Sequence, residues 1–241
     1  MLSKGINLSY LFKLLTKRIA FLHFLLNCAI IFVMHKGGVV MSDHYYSREQ
    51  SAESKPQFWE DQLRGVKMRF RTDSGVCSKR GVDFGSRLLI ETFQLPDVEG
   101  DLLDVGCGYG PIGLSIGKET GRNVHLIDVN LRALSLAREN AALNGISNVS
   151  IYESDCLSNV EKKDFAAILT NPPIRAGKKI VHRIFEESYH HLKDGGELWV
   201  VIQKKQGAPS ALEKLKEIFD EVETAAKKKG YFILKGKKLK T

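Results

Sequence analysis

The sequence is short of cysteine: Cys28, Cys77, Cys107 and Cys156 are scattered over 241 residues, and no two form a C-x-x-C pair. That excludes a disulfide framework and a thiolate zinc site, and it fits a reducing, cytoplasmic compartment. Proline is also scarce, with six in the chain, so the adjacent Pro172 and Pro173 mark a local requirement. No apolar run reaches the ~20 residues of a membrane-spanning helix. The longest, Ile19 to Val33, is interrupted by His23 and Asn27. With no internal repeat and no low-complexity linker, the chain after its first forty residues reads as one domain.

Acidic residues are missing from two places. Residues 1 to 40 hold five basic residues and no acid, and the last fifteen hold seven lysines and no acid. The net charge of +8 therefore belongs to the two ends, and the body between 41 and 226 is mildly acidic. Lys36-Gly37-Gly38-Val39-Val40-Met41 is what a purine-rich ribosome-binding site would encode in frame just before a start codon. The native protein is thus expected to begin at Met41, with residues 1–40 a translated leader rather than a signal peptide or anchor. Residues 41–100 are expected to form an N-terminal hairpin and helix, and 101–241 the core.

What is present is alternation. Lys67 to Thr72 has a strand's period, and Asp73-Ser74-Gly75 has turn chemistry, which predicts a small hairpin there. A helix is expected over Ser86 to Phe93. Strands follow at Leu102 to Val105, Val124 to Val129, Val149 to Glu153, Phe165 to Thr170 and Glu197 to Gln203. Helices lie between at Pro111 to Lys118, Leu131 to Asn144 and about Ile180 to Leu192, with one more at Ser210 to Phe219. Two closely spaced strands, Glu221 to Ala225 and Tyr231 to Lys235, end the chain. The pattern predicts an α/β fold: a doubly wound, mostly parallel seven-stranded sheet ending in an antiparallel hairpin.

The first chemical motif is Asp104-Val105-Gly106-Cys107-Gly108-Tyr109-Gly110, a strand running into a glycine-rich turn and a helix, where main-chain amides approach a ligand closely. Gly108, Gly110 and Gly113, with Asp128 twenty residues after Gly108, also satisfy the dinucleotide fingerprint G-x-G-x-x-G. Asp104 argues against a dinucleotide. A carboxylate ahead of the glycines repels a pyrophosphate but can accept, through water, hydrogen bonds from an amino-acid ammonium, which S-adenosyl-L-methionine carries. The motif resembles motif I of the class I methyltransferases, a Rossmann-like fold. That resemblance implies that Asp128 holds both ribose hydroxyls and that Asp155 and Cys156 bracket the adenine.

The second motif is Asn171-Pro172-Pro173-Ile174. The prolines turn main-chain carbonyls outward with no N–H groups to pair them. The Asn171 side-chain oxygen and the Pro172 carbonyl would each take one hydrogen of a planar amine, pulling its nitrogen toward a tetrahedral shape and freeing the lone pair. With Val82-Asp83-Phe84-Gly85-Ser86-Arg87 upstream, the motif resembles the small-subunit rRNA guanine-N2 methyltransferases and their short single-domain relatives. The resemblance implies that Gly85 and Ser86 lie against the cofactor's methionine end. Two departures stand out: this chain is too short for the extra N-terminal domain of the larger members, and Ile174 replaces an aromatic that many amino-methylating relatives stack on the base. Adenine N6 and a protein glutamine amide therefore remain alternatives.

RNA, from rRNA or a ribosomal subunit, is the expected partner, and no membrane or metal is expected. Arg175, Lys178, Lys179, His182 and Arg183 follow the second motif, where phosphates would lie. Lys204 and Lys205 end a strand on the same side, and the Lys227 to Lys240 cluster would extend that surface. His190-His191 reads as helix surface. A nicotinamide dehydrogenase is a weaker alternative, disfavoured by Asp104 and giving Asn171-Pro172-Pro173 no role, and so is a non-catalytic RNA-binding protein, because the inferred cofactor positions are chemically intact.

Overall fold

The computed structural model describes residues 53–74, 76 and 81–239. Met41, the segment before it, Cys77, Gly75 and Lys240 lie outside these described residues. A hairpin of β1 (Gln57–Leu63) and β2 (Val66–Thr72) comes first, then α1 (Phe84–Thr92). The core follows as β3 (Leu102–Val105), α2 (Pro111–Thr120), β4 (Val124–Asp128), α3 (Leu131–Leu143), β5 (Val149–Glu153) and β6 (Phe165–Thr170). It closes with α4 (Lys178–His191), β7 (Leu192–Gln203), α5 (Ala208–Ile218), β8 (Glu221–Lys228) and β9 (Tyr231–Lys237).

The seven-stranded sheet has the order β5-β4-β3-β6-β7-β9-β8, parallel from β5 to β7, with β9 antiparallel to both its neighbours. Every residue of β6 is buried, because helices cover both faces of a doubly wound sheet. One apolar layer joins Leu89, Ile112 and Leu134 to the sheet beneath α1, α2 and α3. The other joins Val181, Phe185 and Leu215 beneath α4 and α5. The order reverses between β3 and β6, so the crevice at their carboxyl ends is where such a sheet takes its ligand.

The hairpin turns at Arg64-Gly65 (φ 49° and 76°), not at Asp73-Ser74-Gly75. Positive φ at both central residues gives a two-residue turn whose twist matches the strands. Asp73 is an anchor instead: its carboxylate accepts from the Ser54 hydroxyl (2.7 Å) and the Ser74 N–H (2.7 Å). The outer edge of β2 is paired by side chains. Asn140 in the last turn of α3 and Asn144 at its C-cap accept from the main-chain N–H groups of Arg71 (2.7 Å) and Arg69 (2.9 Å). Both amides also donate back, to the carbonyls of Arg71 (3.0 Å) and Arg69 (2.6 Å). Asn140 further donates to the Tyr109 carbonyl (2.9 Å), and Trp59 and Phe70 meet the Tyr109 ring edge-on. The hairpin is thereby fastened to the glycine-rich turn.

Candidate active site

The glycine-rich turn is built around a buried carboxylate. Asp104 is fully buried at the end of β3, and its Oδ2 accepts the Gly113 N–H at 2.8 Å, holding the first turn of α2. A Cβ at Gly113 would lie 3.0 Å from that oxygen, so glycine is required there. Oδ1 is buried with no hydrogen-bond partner among the described residues. Burial pushes the Asp104 carboxyl up to about 7; the Gly113 N–H opposes this and Asp128 adds to it. Between Asp104 and α2, Gly106, Gly108 and Gly110 all take left-handed φ (73°, 57° and 92°). A Cβ at Gly106 or Gly108 would meet none of the described residues within 4 Å, so this face of the turn lies open to a ligand.

Asp128, at the end of β4, ties that turn down. Its Oδ2 accepts from the Gly108 N–H (2.9 Å) and its Oδ1 from the Asn130 N–H (2.9 Å), and burial raises its pKa. Each carboxylate oxygen keeps a second lone pair for a further donor. Cys107 is buried, and desolvation, with the nearby Asp128 and Asp104 charges, holds its thiol protonated.

Asn171 follows β6 on the other side of the crevice. Its Nδ2 donates to the Ser86 hydroxyl at 3.0 Å and reaches the Asp83 carboxylate at 3.5 Å. Asp83 is the N-cap of α1 and accepts the Ser86 N–H at 3.0 Å. With the amide nitrogen committed, Oδ1 is the group left to act on a substrate. The Pro173 carbonyl accepts from the Ala176 N–H (2.9 Å), whereas the Pro172 carbonyl has no protein donor among the described residues. Ile174 is half-buried against the layer beneath α4 and α5. Gly85 lies flat against Tyr231, whose Cε1 would be 2.8 Å from a Cβ there. Nothing in the local sequence marks Tyr231 as its neighbour.

A model of the methyltransferase small domain matches residues 67–235. The chain belongs to the methyltransferase small domain family. The uncharacterized protein YbxB of Bacillus subtilis (strain 168) is 62% identical over 201 residues, covering 83% of this chain and 100% of YbxB. Among solved structures, the T. thermophilus 16S rRNA methyltransferase RsmC, in complex with AdoMet and guanosine, aligns with a TM-score of 0.68 and 24% identity. It covers 79% of this chain, which spans about half (53%) of the RsmC chain. A ribosomal protein L11 methylase from Lactobacillus delbrueckii subsp. bulgaricus aligns with a TM-score of 0.57 and 21% identity, covering 67% of this chain and 81% of its own. At these identities the structural likeness establishes the shared fold. S-adenosylmethionine is the cofactor of this methyltransferase. The unpartnered Asp104 oxygen and the open glycine turn fit a ligand that carries an ammonium group.

Other residues singled out in the methyltransferase sequence are dispersed. Asp155 is exposed after β5, and its carboxylate accepts from Arg183 on α4 (2.9 Å). Arg183 also pairs with Glu187 (2.6 Å), so it serves as a strut between β5 and α4, not as an unpaired phosphate contact. Cys156 takes a left-handed φ of 50°, and burial raises its thiol to about 12. His182 is held below its usual pKa by burial and by Lys178 and Lys214, so it offers a hydrogen bond rather than a charge. Arg175, Lys178, Lys179 and Lys204 are exposed beside the crevice. His191 is buried, not surface: its Nδ1 lies 2.7 Å from the Glu187 carbonyl and its Nε2 3.0 Å from that of Val160. Among the described residues no three His, Cys, Asp or Glu side chains are placed to hold a metal. No helix among them is long and apolar enough to cross a membrane.

The C-terminal lysines do not form one patch. In the β7–β9 register Gln203 stands opposite Tyr231 and Glu197 opposite Lys237. Lys227, Lys228 and Lys229 therefore sit at the crevice edge, where the Lys204 N–H donates to the Gly230 carbonyl (2.8 Å). Lys235 and Lys238 lie toward the far edge with structural partners: Lys235 pairs with Glu223 (2.6 Å), and Lys238 donates to the Leu192 carbonyl (2.9 Å).

Proposed function

We propose that this methyltransferase methylates an exocyclic amino nitrogen of an RNA base, with guanine N2 of small-subunit rRNA as its target. The orientation of Asn171 carries the reading. Ser86 and Asp83 fix its amide nitrogen, which leaves Oδ1 for a substrate, and the carbonyl of the next residue, Pro172, has no protein donor among the described residues. Two acceptors at that spot suit an –NH2 group and would repel a hydroxylate. S-adenosylmethionine supplies an electrophilic methyl on a sulfonium. Asn171 and Pro172 would draw the amine's hydrogens aside, so that its lone pair forms the N–CH3 bond as the S–CH3 bond breaks, and one N–H proton then leaves to solvent. Asp104 would meet the cofactor's ammonium and Asp128 its ribose, with the adenine lying toward Asp155 and Cys156. RsmC, named for N2 methylation of a 16S rRNA guanine, supports the choice of base. A cytoplasmic location follows from that substrate. Mass mapping of rRNA from a strain lacking the gene tests the proposal: one missing methylguanosine is expected, and an unaltered guanine pattern overturns it.

The crevice-edge lysines would track the RNA backbone. Charge reversal at Lys227 and Lys228 is expected to weaken RNA binding and to flatten the dependence of log affinity on log salt by roughly 0.7 to 0.9 for each phosphate left without its lysine. The same change at Lys237, at the far edge, should leave the slope intact. Equal slopes for all three would assign these lysines to solvent.

The start at Met41 remains our proposal. N-terminal sequencing of protein expressed from its own promoter should return residue 41 or 42, and an earlier residue would refute it.

A further inference from the structure

Gln203 has no part in the methyl transfer outlined above, yet it ends β7 at the crevice. In the β6–β7 ladder Leu169 stands opposite Trp199 and Thr170 opposite Val200. Extending that register brings Asn171 level with Val201 and Pro173 level with Gln203. Strand alternation then sets the direction of both side chains. Ala167 and Leu169 on β6, and Trp199 and Val201 on β7, all belong to the apolar layer beneath α1. Asn171 and Gln203 continue those two rows, so both face α1.

Both are also tied to one turn. Asn171 bonds Ser86, while the Gln203 Nε2 donates to the Tyr231 hydroxyl, whose ring lies against Gly85 and stacks at a tilt on Phe84 (5.3 Å). With its nitrogen so engaged, the Gln203 Oε1 is buried and has no partner among the described residues. A buried amide oxygen with no donor is rare in a native fold and points to a donor that arrives with a ligand.

We infer that Gln203, oriented by Tyr231, is a subsite for the edge of the target purine and accepts the N1–H of guanine; this rests on the amine-methylation reading above. On guanine the N2 amine adjoins N1–H, so that edge presents three hydrogens in a row. Asn171 Oδ1, the Pro172 carbonyl and Gln203 Oε1 offer three acceptors along two adjacent strand ends. On adenine the N6 amine is flanked by the lone pairs of N1 and N7, which a third acceptor repels. The subsite therefore selects guanine over adenine without needing an aromatic at Ile174.

The probe is 2-aminopurine, which carries the amine at C2 but has a lone pair at N1. Placed at the target position of one RNA, guanine should be methylated roughly 10- to 100-fold faster than 2-aminopurine by the wild type, the range expected when a buried acceptor loses its donor. Gln203→Leu should bring guanine down to the level of 2-aminopurine, and Gln203→Glu, which keeps an acceptor, should restore most of the preference. Calorimetry with S-adenosylhomocysteine shows whether each variant is folded. Should Gln203→Leu fail to fold, Tyr231→Phe keeps the ring packing, releases the amide and should lower the same ratio. A wild type with no preference, or variants that keep it in full, overturns the subsite alone. A wild type that methylates neither base overturns the amine-methylation reading and the subsite with it.

Discussion

Replacing Asn171 by alanine is expected to slow single-turnover methyl transfer by roughly 10²- to 10³-fold while affinity for S-adenosylhomocysteine stays within about twofold. The proposed bond to the amine strengthens only as the nitrogen becomes tetrahedral, so its loss falls on the transition state. A charge-developing hydrogen bond in a closed site is worth ~3 to 4 kcal/mol. Asn171→Asp is a sharper probe. Aspartate keeps an acceptor but puts a second carboxylate where the amide now reaches the Asp83 Oδ1 at 3.5 Å. Its rate should fall between those of asparagine and alanine, and should improve in the Asp83→Asn background. Transfer of a tritiated methyl to small-subunit rRNA measures all three. Native turnover with collapsed cofactor affinity in Asn171→Ala would confine the residue to the cofactor pocket.

The second large effect belongs to Asp104. The unfolded chain releases this proton near the usual 3.8, whereas burial in the folded protein holds it until about 7. Folded protein therefore binds the extra proton across that window, and stability of the cofactor-free form falls as pH rises through it, by about 1.4 kcal/mol per unit. Between pH 5 and 7 the wild type should lose ~2 to 3 kcal/mol more than Asp104→Asn in denaturant titrations. Cofactor binding should run the other way, because an ammonium partner requires the ionised carboxylate. Wild-type affinity is expected to climb up to about tenfold per pH unit below 7 and then level off. Asp104→Asn should be about 10- to 100-fold weaker and insensitive to pH. Wild-type affinity independent of pH from 5 to 8 would remove Asp104 from the cofactor site.

How much of this is legible in the sequence depends on where each partner lies. Phe165–Thr170 is a continuous apolar run and is found where that run predicts, whereas β7 starts at Leu192, ahead of the expected Glu197, because the residues before Glu197 carry no strand pattern. β1 escapes notice because a hairpin with one face in solvent needs few apolar residues: only Leu63 is fully buried in it, with Trp59 half-buried. The glycines of the first motif are readable because their conformations are local. The pairing of Asp155 with Arg183 joins residues 28 apart, and that of Asn171 with Ser86 joins residues 85 apart. Composition gives no hint of either. The division of the C-terminal lysines is a matter of register: an antiparallel strand carries its ends to opposite edges of the sheet. His191 looks like surface beside the exposed His190 until the Val160 carbonyl comes within 3.0 Å of it.

The asparagine pair at the end of α3 bears on how this protein behaves at high concentration. An unpaired strand edge is a template onto which another chain can add, and a two-stranded hairpin standing alone is marginal in water. Here two amides one helical turn apart reproduce the donor and acceptor spacing of a neighbouring strand along Arg69 and Arg71. A second copy of the chain would have to displace four intramolecular hydrogen bonds before gaining its own. The β2 edge of the hairpin is thus closed to edge-to-edge association by a helix acting as a surrogate strand.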